Sequence, residues 1–274
     1  MPAIITDKFR IHNSEQFQEA FSETSGNTMY LGIGRPQAFA TSTRGDSRTN
    51  NEGTDTAPLT PADNLNAQHF PFDDLLAAKK IAASDVTFAI PRRNWTTGTT
   101  YDIYRHDYGE YATGSTTAIT ANGGASTLHD SAFYVLTTDR NVYKCLDNDG
   151  NTASTVEPTG TSTSILTTAD GYKWKYMYTL SASQQANFLS TDFMAVATNS
   201  TVSSAAVDGA INVCKIKSAG SGGADGTHTG IAIRGDGSSG VVSVTVASGA
   251  VTAVTVTSAG TGYTFGTISN AQIV

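Results

Sequence analysis

The chain has 274 residues, 39% hydrophobic and 9% aromatic, enough for one large or two modest domains with real cores. Its charged content of 15% is low beside about 25% in an average domain, and Gly, Ser, Thr and Asn fill the gap. A net charge of −7 argues against a nucleic-acid partner, two cysteines are too few for a disulfide framework, and no apolar run reaches the roughly 20 residues of a membrane span. The opening Met1–Asp7 lacks a charged region followed by an apolar one, so no secretory signal is expected and synthesis in a cytoplasm is.

In chain order, Ala3–Thr6 is a short apolar opening. Asn13 with Gln16 three residues later resembles a helix start, and Phe17, Ala20 and Phe21 share one helical face. Gly26-Asn27 ends that helix, and Thr28–Ile33 predicts a strand running into Gly34-Arg35-Pro36. Gln37–Asn66 is polar, with Pro58 and Pro61, and predicts a long loop or arm packed on a neighbour. A second helix is expected from Leu75, capped by Asp73 or Asp74, with Leu76, Ala78 and Lys79 along it. Val86–Ile90 predicts a strand ended by Pro91.

Phe88 to Leu180 is the centre of the principal domain. Phe133–Leu136 and Val142–Leu146 predict a pair of strands joined by polar Thr137–Asn141. In Gly171–Leu180, Tyr172, Trp174, Tyr176, Tyr178 and Leu180 alternate with Lys173, Lys175, Met177 and Thr179. That period of two marks a half-buried strand, and each large ring buries roughly 150–250 Å². The stripe is expected to be core rather than a sugar-binding platform. Ser181 or Ser183 caps a short helix over Gln184–Leu189, and Phe193–Val196 predicts a strand.

Near Asn199 the aromatic residues nearly vanish. Lys215–Gly222 is echoed by Thr255–Gly262, an offset of 40 residues (Gly222 to Gly262), which predicts one recurring supersecondary unit. Val242, Val244 and Val246 share a face with Val254 and Val256 only if the intervening loop is odd, so a three-residue loop Ala247-Ser248-Gly249 is expected. The same offset sets Ala271–Val274 over Ile231–Arg234. The expected architecture is mainly β with a few short helices. A β-sandwich-like principal domain over 1–198 precedes a Gly/Ser/Thr-rich β-repeat region over 199–274.

No constellation of an active site stands out. The five histidines have no metal-ligand spacing. His106-Asp107 and His129-Asp130 put adjacent side chains on opposite faces of a strand, which suits surface positions better than a base and its orienting partner. Asp147-Asn148-Asp149-Gly150-Asn151 opens like a calcium loop but lacks the closing bidentate Glu, so a turn is expected. No cofactor and no metal are expected. Arg92-Arg93, after a proline-fixed strand end, has two readings: a solvated rim, or an anchor for a partner surface.

The ordered segments resemble the baseplate wedge subunits of T-even-like contractile-tailed bacteriophages, in particular the dimeric wedge protein. They are Ile4–Arg10, Asn27-Thr28 leading to Gly34-Arg35, Ile90–Trp95, Val142–Asp147 and Asp170–Tyr176, spanning roughly residues 3–197. The resemblance implies a virion structural protein without catalytic activity that joins other wedge proteins and a second copy of itself. On this resemblance the interface candidates are Arg92, Arg93, Trp95 and Arg35. The repeat after Asn199 departs from that family and is similar to β-repeats of phage tail and adhesin proteins. The alternative is therefore a tail-fibre or adhesin-type module that binds a host-surface polysaccharide.

Overall fold

A computed structural model describes residues 7–23, 28–34, 75–111, 116–216 and 218–269. Ala3–Thr6, Gly26-Asn27, Arg35, Gln37–Asn66, Asp73, Asp74 and Ala271–Val274 lie outside the described residues. The chain divides into two compact units, Met1–Phe88 and Ala89–Val274.

In the first unit, helix α1 runs from Asp7 to Glu19. It therefore begins six residues before the expected cap: Asn13 sits inside it, and Ser14 returns its hydroxyl to the Arg10 carbonyl at 2.9 Å. Strand β1 (Tyr30–Gly34) pairs antiparallel with β2 (Leu75–Lys80). The expected second helix is thus a strand. Leu-Leu-Ala-Ala-Lys-Lys has high helix propensity, but propensity is worth only tenths of a kcal/mol per residue and the ladder to β1 overrides it. Leu75 folds over Gly32, where a Cβ would meet its Cδ2 at 2.5 Å. Lys79 closes this end on Asp85 at 2.5 Å.

The second unit is built on a four-stranded sheet of order β4-β5-β7-β6, from β4 (Tyr134–Leu136), β5 (Asn141–Asp147), β6 (Leu166–Thr167) and β7 (Lys173–Thr179). The architecture is mainly β with few short helices, as composition predicts, and the sheets are small. Trp174 is fully buried and stacks on Tyr172 at 5.3 Å, with Tyr101 edge-on at 5.6 Å. The stripe is core, but it does not stay on one side. Between Val142↔Tyr178 and Tyr143↔Tyr176 one residue of β7, Met177, is unmatched. That bulge sends Tyr178 and Leu180 into a second cluster with Leu136, Val142 and Met194, while Tyr172, Trp174 and Tyr176 stay with Tyr101, Val135 and Cys145.

Strand β3 (Ala89–Pro91) pairs with β8 (Phe193–Ala195), so Pro91 ends inside a two-stranded ladder opposite Phe193. Helix α2 (Ala182–Phe188) carries the expected Ser181 cap, reciprocated by Gln184. The Asp170 carboxylate ties residues 154–156 to its own turn: it accepts from Ser154 Oγ at 3.0 Å, Thr155 N–H at 2.7 Å, Val156 N–H at 3.0 Å and Thr168 Oγ at 2.5 Å. Burial pushes its pKa up, but these donors outweigh burial and hold it below 3.8. A depressed folded pKa contributes stability that is present above 3.8 and lost as pH falls below it. The wild-type melting temperature is expected to drop on acidification through that range, and Asp170→Asn to flatten part of the drop in a thermal melt series.

After helix α3 (Ser200–Ser204) comes a three-stranded sheet of order β12-β11-β9, with β9 (Gly226–Ala232), β11 (Ser238–Ala247) and β12 (Ala250–Thr261). A small pair, β10 (Arg234–Gly235) and β13 (Gly266–Thr267), lies between and after them. Val242, Val244 and Val246 are buried, with Val254 and Val256 packed on them. The faces meet as expected, by a different route. Ala247 pairs with Ala250, leaving a two-residue turn in which Ser248 and Gly249 have φ of 52° and 77°. The odd residue is Thr252, a bulge between Val246↔Val251 and Thr245↔Ala253. Tyr263 presses on backbone stripped of side chains: its hydroxyl receives the Gly240 N–H at 3.1 Å, and Cβ atoms at Gly237 and Gly240 would lie 2.4 and 2.8 Å from it.

Candidate assembly interface

The Pro-Arg-Arg-Asn-Trp segment leaves β3 and is fastened at every step. Arg92 N–H donates to the Asp192 carbonyl at 2.7 Å, Nη1 to Ser190 O at 2.8 Å and Nε to Asn94 Oδ1 at 2.9 Å. Arg93 lies 5.6 Å over the Tyr134 ring and donates Nη2–H to Asp130 O at 3.1 Å. Its Nε is buried with no hydrogen-bond partner. Tyr134 donates its hydroxyl to Pro91 O at 2.7 Å, and burial raises its pKa against the opposing pull of Arg93. Trp95 Nε1 donates to Ser154 Oγ at 3.1 Å, and that hydroxyl passes on to Asp170. Both arginines and Trp95 are half-buried, and they tie the loops at 130, 154 and 190 to one edge of the principal sheet. Arg35 lies outside the described residues.

The other groups weighed for chemistry sit in local structure. Asp107 forms a two-pronged pair with Arg105 at 2.8 and 2.7 Å, and Asp130 accepts Thr127 Oγ at 2.8 Å. Asn148 is fully buried, donating to Tyr101 O at 2.9 Å and accepting from Asn151 N–H at 3.2 Å, in a turn where Asp149, Gly150 and Asn151 all have positive φ. Among the described residues, no three His, Cys, Asp or Glu groups gather as metal ligands, and no helix is long and apolar enough to cross a membrane. Cys145 is fully buried and Cys214 partly so; burial raises both thiols above their ordinary range.

Surface apolarity is the feature that sequence patterning missed. Every residue of β1 and β2 is exposed, including Tyr30, Leu31, Ile33, Leu75 and Leu76, as are Phe9, Ile11 and Phe17 of α1. A two-stranded sheet is marginal alone in water, and apolar residues clustered this way mark contact surfaces more than scattered ones do. A groove of 450 Å³ opens between α1, from Asn13 to Gln18, and residues 86–88.

No curated protein matches the chain. The family model described as bacteriophage T4, Gp8 matches residues 3–152, more than half of the 274-residue chain. That stretch covers the first unit, the Arg92–Trp95 loop and strands β4 and β5. The chain belongs to the bacteriophage T4 Gp8 family and is a structural subunit of a T4-like tail baseplate wedge.

Proposed function

We propose that this subunit joins neighbouring wedge proteins during baseplate assembly and pairs with a second copy of itself, as a non-catalytic part of the tail. The observation that carries the reading is the β1–β2 sheet inside the family-matched region. Leu31 and Ile33, on one face of β1, are 55% and 57% exposed. Covering apolar surface yields about 25 cal/mol per Å², and within this unit nothing among the described residues covers it. In this reading residues 1–198 make the wedge contacts and residues 199–274 form an appended β-rich module. Neither a membrane nor a nucleic acid takes part. The polysaccharide alternative has lost its aromatic platform, because Trp174 and Tyr172 are fully buried.

The test is entry into wedges reconstituted from purified baseplate proteins, followed on native gels. Leu31→Asp with Ile33→Asp is expected to weaken entry at least tenfold while leaving the melting temperature unchanged, since both side chains already face water. Arg92→Ala with Arg93→Ala is expected to weaken entry too, and to cost about 1–3 kcal/mol through the lost bonds to the 190 and 130 loops. Undiminished entry by both double variants would overturn the reading. Light scattering at micromolar concentration is expected to report a dimer mass, and a monomer there removes the pairing from it.

A further inference from the structure

The register of the principal sheet sets cations in a row across three strands. Tyr134 of β4 stands opposite Lys144 of β5, and Lys144 stands opposite Lys175 of β7. Residues directly opposite one another share a face, so the row runs Tyr134, Lys144, Lys175 and spans about 10 Å, two strand spacings. Arg93 extends it at the β4 end, lying 5.6 Å over the Tyr134 ring. The bulge at Met177 divides this face of β7 in two. Tyr178 and Leu180 pack into the cluster that holds Met194, while Lys175 and Lys173 lie on the other side of the bulge.

Arg93, Lys144 and Lys175 are held by neutral groups alone. Arg93 donates to the Asp130 carbonyl, and its Nε is buried without a partner. Lys144 sits 4.2 Å over the Tyr104 ring, and Lys175 donates to the Thr163 carbonyl. Among the described residues none of the three pairs with a carboxylate, whereas Lys79, Arg105 and Lys173 each do. All three are half-buried. Burial lowers the pKa of the Lys144 ammonium, and the charge of Lys175 lowers it further. Like charges directly opposite destabilise a sheet, and a partly buried cation is unfavourable until an anion answers it. An anion supplied from outside the row relieves both effects.

Aromatic rings join the row end to end. Phe133 touches Tyr134 at 5.1 Å and Tyr104 at 5.3 Å, so contacts run unbroken from Arg93 to Lys144. Tyr104 is exposed, and apolar surface therefore borders the charges. Arginine and tyrosine together are the composition of protein contact surfaces, which favours a protein over a free inorganic anion. Arg93 also makes this surface continuous with the Arg92–Trp95 segment described above.

We propose that the row of Arg93, Lys144 and Lys175 is a docking surface for an acidic segment of another protein, whose carboxylates neutralise it. That the other protein belongs to the baseplate rests on the wedge reading above. A second copy of this chain suits the row less well, because a twofold pair centred there sets the row against itself.

The probe is a tetramethylrhodamine-labelled hexaglutamate peptide, titrated with the full chain at low ionic strength and read by anisotropy. Saturable binding is expected, weakening as salt rises. Lys144→Gln with Lys175→Gln is expected to weaken it at least tenfold, and the charge-preserving Lys144→Arg with Lys175→Arg to retain it. Glutamine keeps most of each stem and removes the opposed charges, so the glutamine variant is expected to melt no lower than wild type. Saturating peptide is expected to raise the melting temperature of the wild type and to leave that of the glutamine variant where it was. Undiminished binding by the glutamine variant, or equal binding of a hexaglutamine peptide, overturns the proposal. So does inorganic phosphate that displaces the peptide at equal or lower concentration, which makes the row a phosphate site, and so does a dimer that the glutamine variant dissolves. In reconstituted wedges the glutamine variant is expected to enter at least tenfold less well than the arginine variant. Equal entry of the two overturns the row as a wedge contact and leaves the wedge reading standing. Failure of the wedge reading registers separately, as a wild-type chain that stays out of the assembly, and the peptide titration still decides the row.

Discussion

Trp174→Ala is expected to cost about 3–5 kcal/mol, the range for truncating a large buried aromatic residue. The indole is fully buried at the centre of the principal sheet, stacked on Tyr172 and met edge-on by Tyr101. Each ring pair is worth about 0.5–1.5 kcal/mol beyond the area it buries. Its Nε1–H is buried without a hydrogen-bond partner, so the substitution forfeits no such bond. Tyr172 would then lose the ring it lies against, although its hydroxyl still reaches Thr152 O at 2.6 Å. Against a typical total of about 5–15 kcal/mol, such a loss brings many domains near their threshold. Urea unfolding followed by circular dichroism checks it. Trp174→Phe, which keeps a ring beside Tyr101 and Tyr172, is expected to retain more than half of the stability that Trp174→Ala loses.

The second large effect is expected at Gly260, where Gly260→Val should cost about 3–4 kcal/mol by backbone strain and overpacking together. Its φ of 63° lies in the left-handed region, which is unfavourable for a β-branched side chain. A Cβ there would also sit 2.4 Å from Ser238 O and 2.6 Å from Gly240 N, atoms of the partner strand that have little room to retreat. The damage should be local. Amide exchange is expected to speed up across β11 and β12 before it does so in β5 and β7. If exchange rises equally in both sheets, the two unfold as a single cooperative unit and the locality is wrong.

Much of the principal sheet was legible in the sequence because burial there imposes a period of two. Trp174 and Tyr176 announce a strand, Phe133–Leu136 and Val142–Leu146 announce its neighbours, and Ser181 announces the following helix. Bulges were not legible. Met177 and Thr252 each shift a register by one residue, and the faces they reassign are settled by packing across the sheet, beyond the reach of local pattern. Leu75–Lys80 misled for the opposite reason: its local propensity is helical, and the ladder that overrides it comes from Tyr30–Gly34, about 45 positions earlier in the chain. The candidate interface was legible only in part. Arg92 and Arg93 drew notice as paired charges, yet their bonds to Ser190 and Asp130 depend on loops far away in sequence. Exposed Leu31 and Ile33 look like core residues when only their types are visible, since hydropathy does not record which side of a strand finds a neighbour.

The pairing of Ile90 with Met194 has a kinetic consequence. These residues are separated by about a hundred positions, and the strands they belong to bracket most of the aromatic core. A ribosome adds about 5–20 residues per second, so roughly 5–20 s pass between the emergence of one strand and that of the other. During that interval Tyr134, Leu136 and Val142 await the side chain of Met194 that completes their cluster. Closure of this long loop is expected to come late, with the apolar side chains of that cluster left uncovered on the nascent chain until Met194 arrives.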